Sequence, residues 1–169
     1  MNYQLRDYQS DLFDRINAAW FAGSRSILAQ LPTGGGKTIC FSHIVHQASK
    51  NGSKCLILAH REELIKQAAD KVEIITNDPV GIIKAGYPSN YDRDIQVASV
   101  QSLTRRLNYC PEFDLIVVDE AHHSTSTSYR TILDRFPNAR VLGVTATPIR
   151  LDGSGFRGLF DDLICGVTV

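Results

Sequence analysis

The sequence predicts an α/β protein with a doubly wound, mostly parallel sheet and helices on both of its faces. Short apolar runs typical of buried strands alternate with longer stretches whose apolar residues recur at spacings of three and four, as in helices. A glycine-rich turn at residues 30–38 separates one such strand from a helix, and an acidic pair follows the apolar run 115–118. In sheets of this kind ligands bind beyond the carboxyl ends of the strands, where both features lie.

The first half of the chain alternates helix and strand. Apolar residues at helical spacing predict a helix over 5–20, and the pattern ends at Gly23. The turn signal Asn51-Gly52 is predicted to end the helix that follows the glycine-rich turn. The predicted elements of this half are a helix at 5–20, a strand at 26–30, a helix at 37–50, a strand at 55–59, a helix at 61–75 and a strand at 80–84.

The second half continues the alternation after a polar loop at 86–92. The run 115–118 is continuously apolar, as expected for a strand buried on both faces of a parallel sheet. The predicted elements are a strand at 95–99, a short helix at 101–107, a strand at 115–118, a helix at 128–136, a strand at 141–144 and a last strand at 163–167. No repeat, low-complexity tract or linker divides the chain, so residues 1–169 are predicted to form a single domain.

Composition is that of an ordinary globular protein, with 43% hydrophobic and 21% charged residues. No apolar run approaches the ~18 residues of a membrane span, and the first residues lack the apolar core of a signal peptide, so no membrane partner and a cytoplasmic location are expected. The formal net charge is zero, so any surface for nucleic acid must be local. The scattered cysteines are predicted to be reduced core residues.

The glycine-rich turn has the pattern of a phosphate-binding loop. Three consecutive glycines, Gly34 to Gly36, allow successive backbone N–H groups to turn inward around an anion, and the following helix points its positive end at the same place. Lys37 would then contact the outer phosphates, and the Thr38 hydroxyl would hold Mg²⁺. The strict pattern G-x-x-x-x-G-K-[ST] requires glycine where this chain has Leu31. An ordinary turn is the alternative interpretation.

The acidic pair Asp119-Glu120 supplies the other half of such a site. At the carboxyl end of a buried strand, Asp119 is predicted to hold Mg²⁺ and Glu120 to orient the water that attacks the γ-phosphate. Alternatively, the two acids stabilise the start of the next helix, where negative charge is favoured. Because a phosphate loop precedes the pair in the chain, the catalytic interpretation is preferred. His43 and His46 are a weaker candidate for a metal site, since no third ligand lies near them in the sequence.

In order along the chain, six stretches resemble the motifs of the first RecA-like domain of a superfamily 2 helicase. The resemblance is to the DEAH-bearing branch that includes restriction-enzyme motor subunits and duplex DNA translocases. The stretches are residues 5–9, 31–38, 59–64, 97–103, 119–122 and 144–148. The family does not require glycine at the position of Leu31, which removes that discrepancy. The resemblance covers nearly the whole chain and implies an ATP-dependent enzyme with ATP and Mg²⁺ at its site.

The resemblance also implies roles for particular residues. At the nucleotide, Gln9 would read the adenine, Arg6 would support that pocket, and the loop from Thr33 to Thr38 would hold the phosphates. His122 would couple the nucleotide-facing loops. The residues implied in nucleic-acid contact or in its coupling to ATP are Arg61, Ser99, Gln101, Ser102, Thr145 and Thr147. Each has a structural alternative: a surface glutamine for Gln9, a helix end for Arg6, a first-turn helix residue for Arg61, and caps or turns for the serines and threonines.

The implied partners are nucleic acid, with DNA favoured over RNA by the branch, and a second RecA-like domain. In this family the second domain supplies an arginine to the γ-phosphate, so the chain alone is expected to bind ATP weakly, hydrolyse it slowly and unwind nothing. It is expected to be part of a longer motor. A nucleotide-dependent interaction module, in which ATP switches protein contacts and no strand moves, is the alternative function.

Overall fold

The computed structural model describes residues 4–31, 36–121, 127–146 and 160–165. The α-helices in these ranges are α1 (Asp7–Phe21), α2 (Lys37–Lys50), α3 (Ile65–Thr76), α4 (Val100–Thr104) and α5 (Thr127–Arg135). The strands are β1 (Ser26–Gln30), β2 (Cys55–Ala59), β3 (Val80–Ile83), β4 (Ile95–Ser99), β5 (Leu115–Val118), β6 (Arg140–Thr145) and β7 (Asp162–Cys165). Among these helices, none is long and apolar enough to cross a membrane.

Each predicted helix and strand is present close to its predicted position, with two differences in detail. The helix predicted at 61–75 begins as a 3-10 turn, Glu62–Leu64, before α3. The helix predicted at 101–107 is α4 followed by a second 3-10 turn, Leu107–Tyr109. In both turns a backbone N–H donates to the carbonyl three residues earlier, from Leu64 to Arg61 (3.1 Å) and from Tyr109 to Arg106 (3.0 Å).

The seven strands form one sheet in the order β3-β4-β2-β5-β6-β1-β7, and every pair of neighbours is parallel. The predicted doubly wound α/β architecture is therefore confirmed, and the described sheet is entirely parallel. In the register Gln30 pairs with Thr145, and Ala59 pairs with Ser99. Since Leu58 pairs with Val118, which pairs with Gly143, the carboxyl ends of β1, β6, β2 and β4 agree to within about one residue, and the residues that follow them gather at one end of the sheet.

Apolar layers on both faces of the sheet form the core. One layer packs under α1 and α2 and includes Leu12, Ile16, Ile44, Ile57 and Val117. The other layer, under α4 and α5, includes Leu28, Leu56, Ile116, Ile132 and Phe136. Successive residues of β2 and β5 alternate between the two layers because side chains of a strand point to opposite faces. This is why the central strands read as continuous apolar runs.

The cysteines follow the predicted pattern except at the edge of the sheet. Cys40, Cys55 and Cys110 are buried free thiols, and burial raises their pKa values to about 11, about 12 and about 11. The prediction of a core position is wrong for Cys165, which is exposed. It ends the edge strand β7, which has a neighbour on one side only.

Candidate active site

The glycine-rich loop ends at Gly36, whose backbone conformation disfavours any side chain. Its φ is +69°, and a Cβ atom at this position would lie 2.4 Å from Nε2 of Gln9. The positive φ therefore favours glycine, and a side chain here would also force the Gln9 amide to move; α2 begins at the next residue, Lys37. The first N–H groups of a helix have no partner within the helix, so the start of α2 favours an anion.

Lys37 lies against the acidic pair that follows β5. Its Nζ donates a hydrogen bond to Oε1 of Glu120 and lies 3.3 Å from Oδ1 of Asp119. The side chains of Lys37 and Asp119 are each 22% exposed and that of Glu120 is 37% exposed, so the cluster is accessible but partly desolvated. The fold thus brings together Lys37 and Glu120, which lie 83 positions apart in the sequence, with Asp119 beside them.

This cluster holds one ammonium group against two carboxylates. Burial lowers the pKa of Lys37, but the hydrogen bond to Glu120 and the attraction of both carboxylates outweigh burial, so the pKa is raised. Burial raises the pKa of Asp119, and the proximity of Lys37 offsets this in part. The site therefore carries excess negative charge in a partly buried position, and an additional cation would relieve it.

Glu120 has a left-handed backbone conformation, with a φ of +53°. Such a conformation is unfavourable for a residue other than glycine, and it is found preferentially at functional sites. A hydrogen bond of 2.9 Å from the N–H of Glu120 to Oδ1 of Asp119 stabilises it. In an extended strand two successive side chains would point to opposite faces. The turn instead lets both carboxylates reach Lys37.

The oxygen atoms near Lys37 are of the type that Mg²⁺ prefers. Asp119 supplies a carboxylate, and Thr38, the second residue of α2, supplies a hydroxyl at the start of the same helix. The excess negative charge of the acidic pair also suits a divalent cation. The weaker candidate, His43 and His46, gains no such support, because Nδ1 of His46 lies 3.0 Å from Oδ2 of Asp78. Within the described ranges, no group of three or more His, Cys, Asp or Glu residues is placed to hold a metal.

Replacing Asp119 with asparagine is expected to stabilise the protein in the absence of nucleotide and Mg²⁺. Because the folded-state pKa of Asp119 lies above its unfolded value, the charged form costs stability, and this cost grows as the pH rises through the folded-state pKa. Thermal unfolding at neutral pH should give a higher midpoint for Asp119→Asn than for the natural protein. The difference should shrink as the pH is lowered and the natural carboxylate is protonated. A variant that is less stable at neutral pH would contradict this account.

Gln9 is buried, with 2% of its surface exposed, so the alternative of a surface glutamine is wrong. Its Oε1 accepts a hydrogen bond from the N–H of Arg6 (2.9 Å), and its Nε2 donates to the carbonyl of Gly36 (3.3 Å). The amide therefore connects the start of α1 to the end of the glycine-rich loop. Arg6 is exposed and is the N-cap of α1, which agrees with its alternative role at a helix end.

A cavity of about 690 Å³ opens beside the acidic pair. Its wall includes Asp119 and Glu120 and the segment that follows β2. The residues that line it are Ala59, His60, Arg61, Glu62, Glu63, Leu64, Ala68, Gln101, Asp119 and Glu120. Arg61 is 65% exposed, and its Nε lies 3.3 Å from Oε1 of Glu63. Arg61 and Gln101, both predicted to contact nucleic acid, thus share a cavity with the predicted catalytic carboxylates.

Ser99 and Ser102 are buried and take part in hydrogen bonds within the fold. Ser99 is the N-cap of α4 and accepts a hydrogen bond from the N–H of Ser102 (3.2 Å), as in its alternative role as a helix cap. Oγ of Ser102 accepts a hydrogen bond from the N–H of Ala85 (3.0 Å). Thr145 is also buried, at the end of β6, and its carbonyl accepts a hydrogen bond from the N–H of Leu31 (2.9 Å). Of the residues predicted at the end of β4, Gln101 is the one at the surface.

Five predicted site residues lie outside the ranges that the structure describes. They are Thr33, Gly34 and Gly35 of the glycine-rich loop, His122 after the acidic pair, and Thr147. Their implied roles stay predictions.

For two polar residues of this region, Glu62 and Tyr129, the sequence predicted no role. Glu62 accepts a hydrogen bond from Ser99, and nothing in the run of charged residues 61–63 distinguishes it. Tyr129 of α5 is 1% exposed, and its hydroxyl has no hydrogen-bond partner among the described residues. Burial raises its pKa to about 12, and the charge of Asp119 contributes. Its spacing of three and four to Ile132 and Leu133 was a signal of burial.

Replacing Tyr129 with phenylalanine is expected to stabilise the protein by about 1 kcal/mol, since a buried hydroxyl without a partner carries an uncompensated desolvation cost. Urea unfolding would measure the change. Tyr109→Phe is the matched control, because Tyr109 is 73% exposed and its hydroxyl is accessible to water. A loss of stability in Tyr129→Phe alone would mean that the hydroxyl makes a stabilising contact.

A glycine-rich loop that leads into a helix beginning with Lys37 and Thr38, beside an acidic pair that follows a parallel strand, is the arrangement of a P-loop nucleotide hydrolase. Comparison with known families agrees with this class. Residues 2–150 match the model of the family described as "Type III restriction enzyme, res subunit". The chain belongs to this family.

Two relatives illustrate the similarity in sequence. A protein of Saccharomyces cerevisiae, named provisionally as the ATP-dependent helicase IRC3, is 38% identical over 95% of this chain and 26% of its own length. The protein of Sulfurisphaera tokodaii named "DNA 3'-5' translocase XPB2" is 34% identical over 89% of this chain and 32% of its own length. The chain thus spans about a quarter to a third of these relatives.

The fold is similar to that of solved helicases. The UvsW helicase from Bacteriophage T4 matches with a TM-score of 0.76 over 96% of this chain and 60% of that chain, at 20% sequence identity. The predicted RecA-like fold is therefore confirmed.

Proposed function

We propose that this chain is the ATP-binding domain of a nucleic-acid-dependent ATPase, a helicase or translocase that acts on DNA. The observation that carries the proposal is the cavity of about 690 Å³, which Asp119 and Glu120 line together with Arg61 and Gln101. ATP hydrolysis and nucleic-acid contact would then both involve residues that line one cavity. The preference for DNA over RNA is supported by the relative named as a DNA translocase, whereas a relative from Mus musculus is named as an ATP-dependent RNA helicase.

In the proposed reaction Lys37 exchanges its carboxylate partners for the outer phosphates of ATP. Thr38 and Asp119 would hold Mg²⁺, which offsets phosphate charge when it is bound. Glu120, no longer held by Lys37, orients the attacking water and accepts its proton. The backbone of Gly36 and the first turn of α2 stabilise the phosphates, together with Thr33, Gly34 and Gly35.

Gln9 is proposed to contact the adenine, with Arg6 supporting the same pocket. The amide of Gln9 lies beside the end of the glycine-rich loop, but it is buried and bonded to Arg6 and Gly36, so contact with the adenine would require it to exchange one of these bonds. His122, Thr145 and Thr147 are proposed to couple this site to the nucleic acid. Thr145 lies at the end of β6 and pairs with Gln30, the last residue of β1 before the loop.

Arg61 and Gln101 are proposed to contact the phosphates of the nucleic-acid backbone, since both are exposed and line the same cavity. For Ser99 and Ser102 we revise the proposal from contact to support, because their hydroxyls are buried and bonded within the fold. Contacts of Arg61 and Gln101 with backbone phosphates carry no base specificity, so nucleic-acid binding would be independent of base sequence and sensitive to salt.

A second RecA-like domain is proposed to complete the motor by supplying an arginine to the γ-phosphate. Such an arginine accounts for a factor of about 10³ or more in rate, so the chain alone would hydrolyse ATP slowly.

A cytoplasmic location also stays a prediction.

Arg61→Ala and Gln101→Ala test the nucleic-acid part of the proposal. Each should abolish stimulation of ATP hydrolysis by nucleic acid in the longest natural form of the protein. Arg140→Ala is a matched control that removes the same charge at the amino end of β6, at the opposite end of the sheet. Stimulation that survives both substitutions would overturn the assigned contact surface. If the protein binds ATP but no nucleic acid stimulates its hydrolysis, the alternative function, a nucleotide-dependent interaction module, would be favoured.

A further inference from the structure

Glu62 links two segments of the candidate nucleic-acid surface. Oγ of Ser99 donates a hydrogen bond of 2.6 Å to Oε1 of Glu62, a length typical of a hydroxyl bound to a carboxylate. Glu62 begins the 3-10 turn after β2, and Ser99 ends β4. The bond therefore ties the turn that carries Arg61 to the segment that carries Gln101.

The connection continues through α4 to the loop after β3. Ser99 uses its hydroxyl twice: it donates to Glu62 and accepts from the N–H of Ser102 at 3.2 Å. The hydroxyl of Ser102 in turn accepts from the N–H of Ala85 at 3.0 Å. The bond between Ser99 and Ser102 is buried, and the bonds to Glu62 and Ala85 are partly buried, which limits competition from water. We define the Glu62 network as Glu62, Ser99, Ser102 and Ala85.

The two exposed candidates for phosphate contact are adjacent in sequence to members of this network. Arg61 precedes Glu62, and Gln101 lies between Ser99 and Ser102. Both line the cavity beside the acidic pair. A long arginine side chain gains affinity for a phosphate only if its backbone is held at the correct distance from the other contacts.

We infer that Glu62 is a positioning residue, which fixes the distance between Arg61 and Gln101 through its hydrogen bond to Ser99 so that both contact one nucleic-acid backbone. The inference rests on the proposed function, since it assumes that these two residues contact nucleic acid. According to this inference the negatively charged Glu62 favours the binding of a polyanion, although its charge alone would oppose it.

Simple electrostatics makes the contrary prediction. Removing a carboxylate from a surface that faces a polyanion should strengthen binding. Glu63 provides the matched case: it is the same residue type in the same turn, it is 66% exposed, and it contacts Arg61 rather than Ser99. If Glu62 acts by positioning, Glu62→Ala lowers the affinity for nucleic acid while Glu63→Ala does not. If only charge matters, both substitutions raise the affinity.

The test is equilibrium binding of fluorescently labelled nucleic acid (single-stranded DNA, duplex DNA and RNA) to the longest natural form of the protein and its variants at one fixed salt concentration. Glu62→Ala is expected to weaken binding about tenfold, the effect of losing one well-placed polar contact. Glu63→Ala should bind as tightly as the natural chain or more tightly. Glu62→Gln, which retains a hydrogen-bond acceptor and loses the charge, should bind at least as tightly as the natural chain.

The melting temperature of each variant separates positioning from a general loss of structure. Weaker binding by Glu62→Ala with restoration in Glu62→Gln, at unchanged melting temperatures, supports the inference. Tighter binding by both Glu62→Ala and Glu63→Ala would overturn it and leave the proposed function intact. If the longest natural form bound neither DNA nor RNA, the nucleic-acid part of the proposed function would be rejected, and the inference with it.

Discussion

Glu120→Gln is expected to lower the rate of ATP hydrolysis by about 10²- to 10⁴-fold, the range for loss of a group that accepts a proton from the attacking nucleophile. ATP should bind at least as tightly as before. Lys37 donates a hydrogen bond to Glu120, so the carboxylate competes with the phosphates for this cation. A neutral amide is a weaker competitor, and Lys37 is more readily available to ATP.

Binding of a fluorescent ATP analogue and steady-state hydrolysis would measure the two effects separately. Glu112→Gln is the matched control, since Glu112 is 68% exposed, pairs with Arg135 and precedes β5, whereas Glu120 follows it. Loss of binding and hydrolysis together in Glu120→Gln would mean that Glu120 holds the nucleotide rather than the water. Unchanged hydrolysis would remove Glu120 from the catalytic site.

Lys37→Ala is expected to lower hydrolysis by about 10²- to 10³-fold, as for the loss of one preorganised electrostatic contact, and to weaken ATP binding as well. It should also destabilise the unliganded protein, because Asp119 and Glu120 would lose the cation that both contact. The effect on stability is therefore opposite in sign to that of Asp119→Asn.

Lys50→Ala tests whether the effect of Lys37→Ala depends on position. Lys50 is an exposed residue at the last position of α2, so the same residue type is removed from the opposite end of the same helix. Nucleotide binding and thermal unfolding should both be close to those of the natural chain. If both variants had the same effect, the role of Lys37 in phosphate binding would be contradicted.

The position of the site could be predicted from the sequence because it depends on the ends of strands. The apolar run of β5 is recognisable without any tertiary information, and in a parallel sheet its carboxyl end must lie level with that of its neighbours. The contact between Lys37 and Glu120 follows from this topology, as does the presence of Asp119 beside them.

The orientation of individual polar side chains could not be predicted in the same way. All five residues of β4 are buried, so alternation gives no indication of where the hydroxyl of Ser99 points, and its partner Glu62 belongs to a different segment. The burial of Gln9 did leave a signal, since it precedes Leu12 and Ile16 on one helical stripe. The left-handed backbone of Glu120 left none, because it depends on the turn that its neighbour Asp119 stabilises.

The central claim is that nucleic acid controls ATP hydrolysis at this site. The most direct measurement is steady-state ATP hydrolysis by the longest natural form of the protein, without polymer and with duplex DNA, single-stranded DNA or RNA. Stimulation, strongest with DNA and abolished in Glu120→Gln, is the predicted result. Hydrolysis that is equal with and without every polymer, while ATP still binds, would contradict the claim.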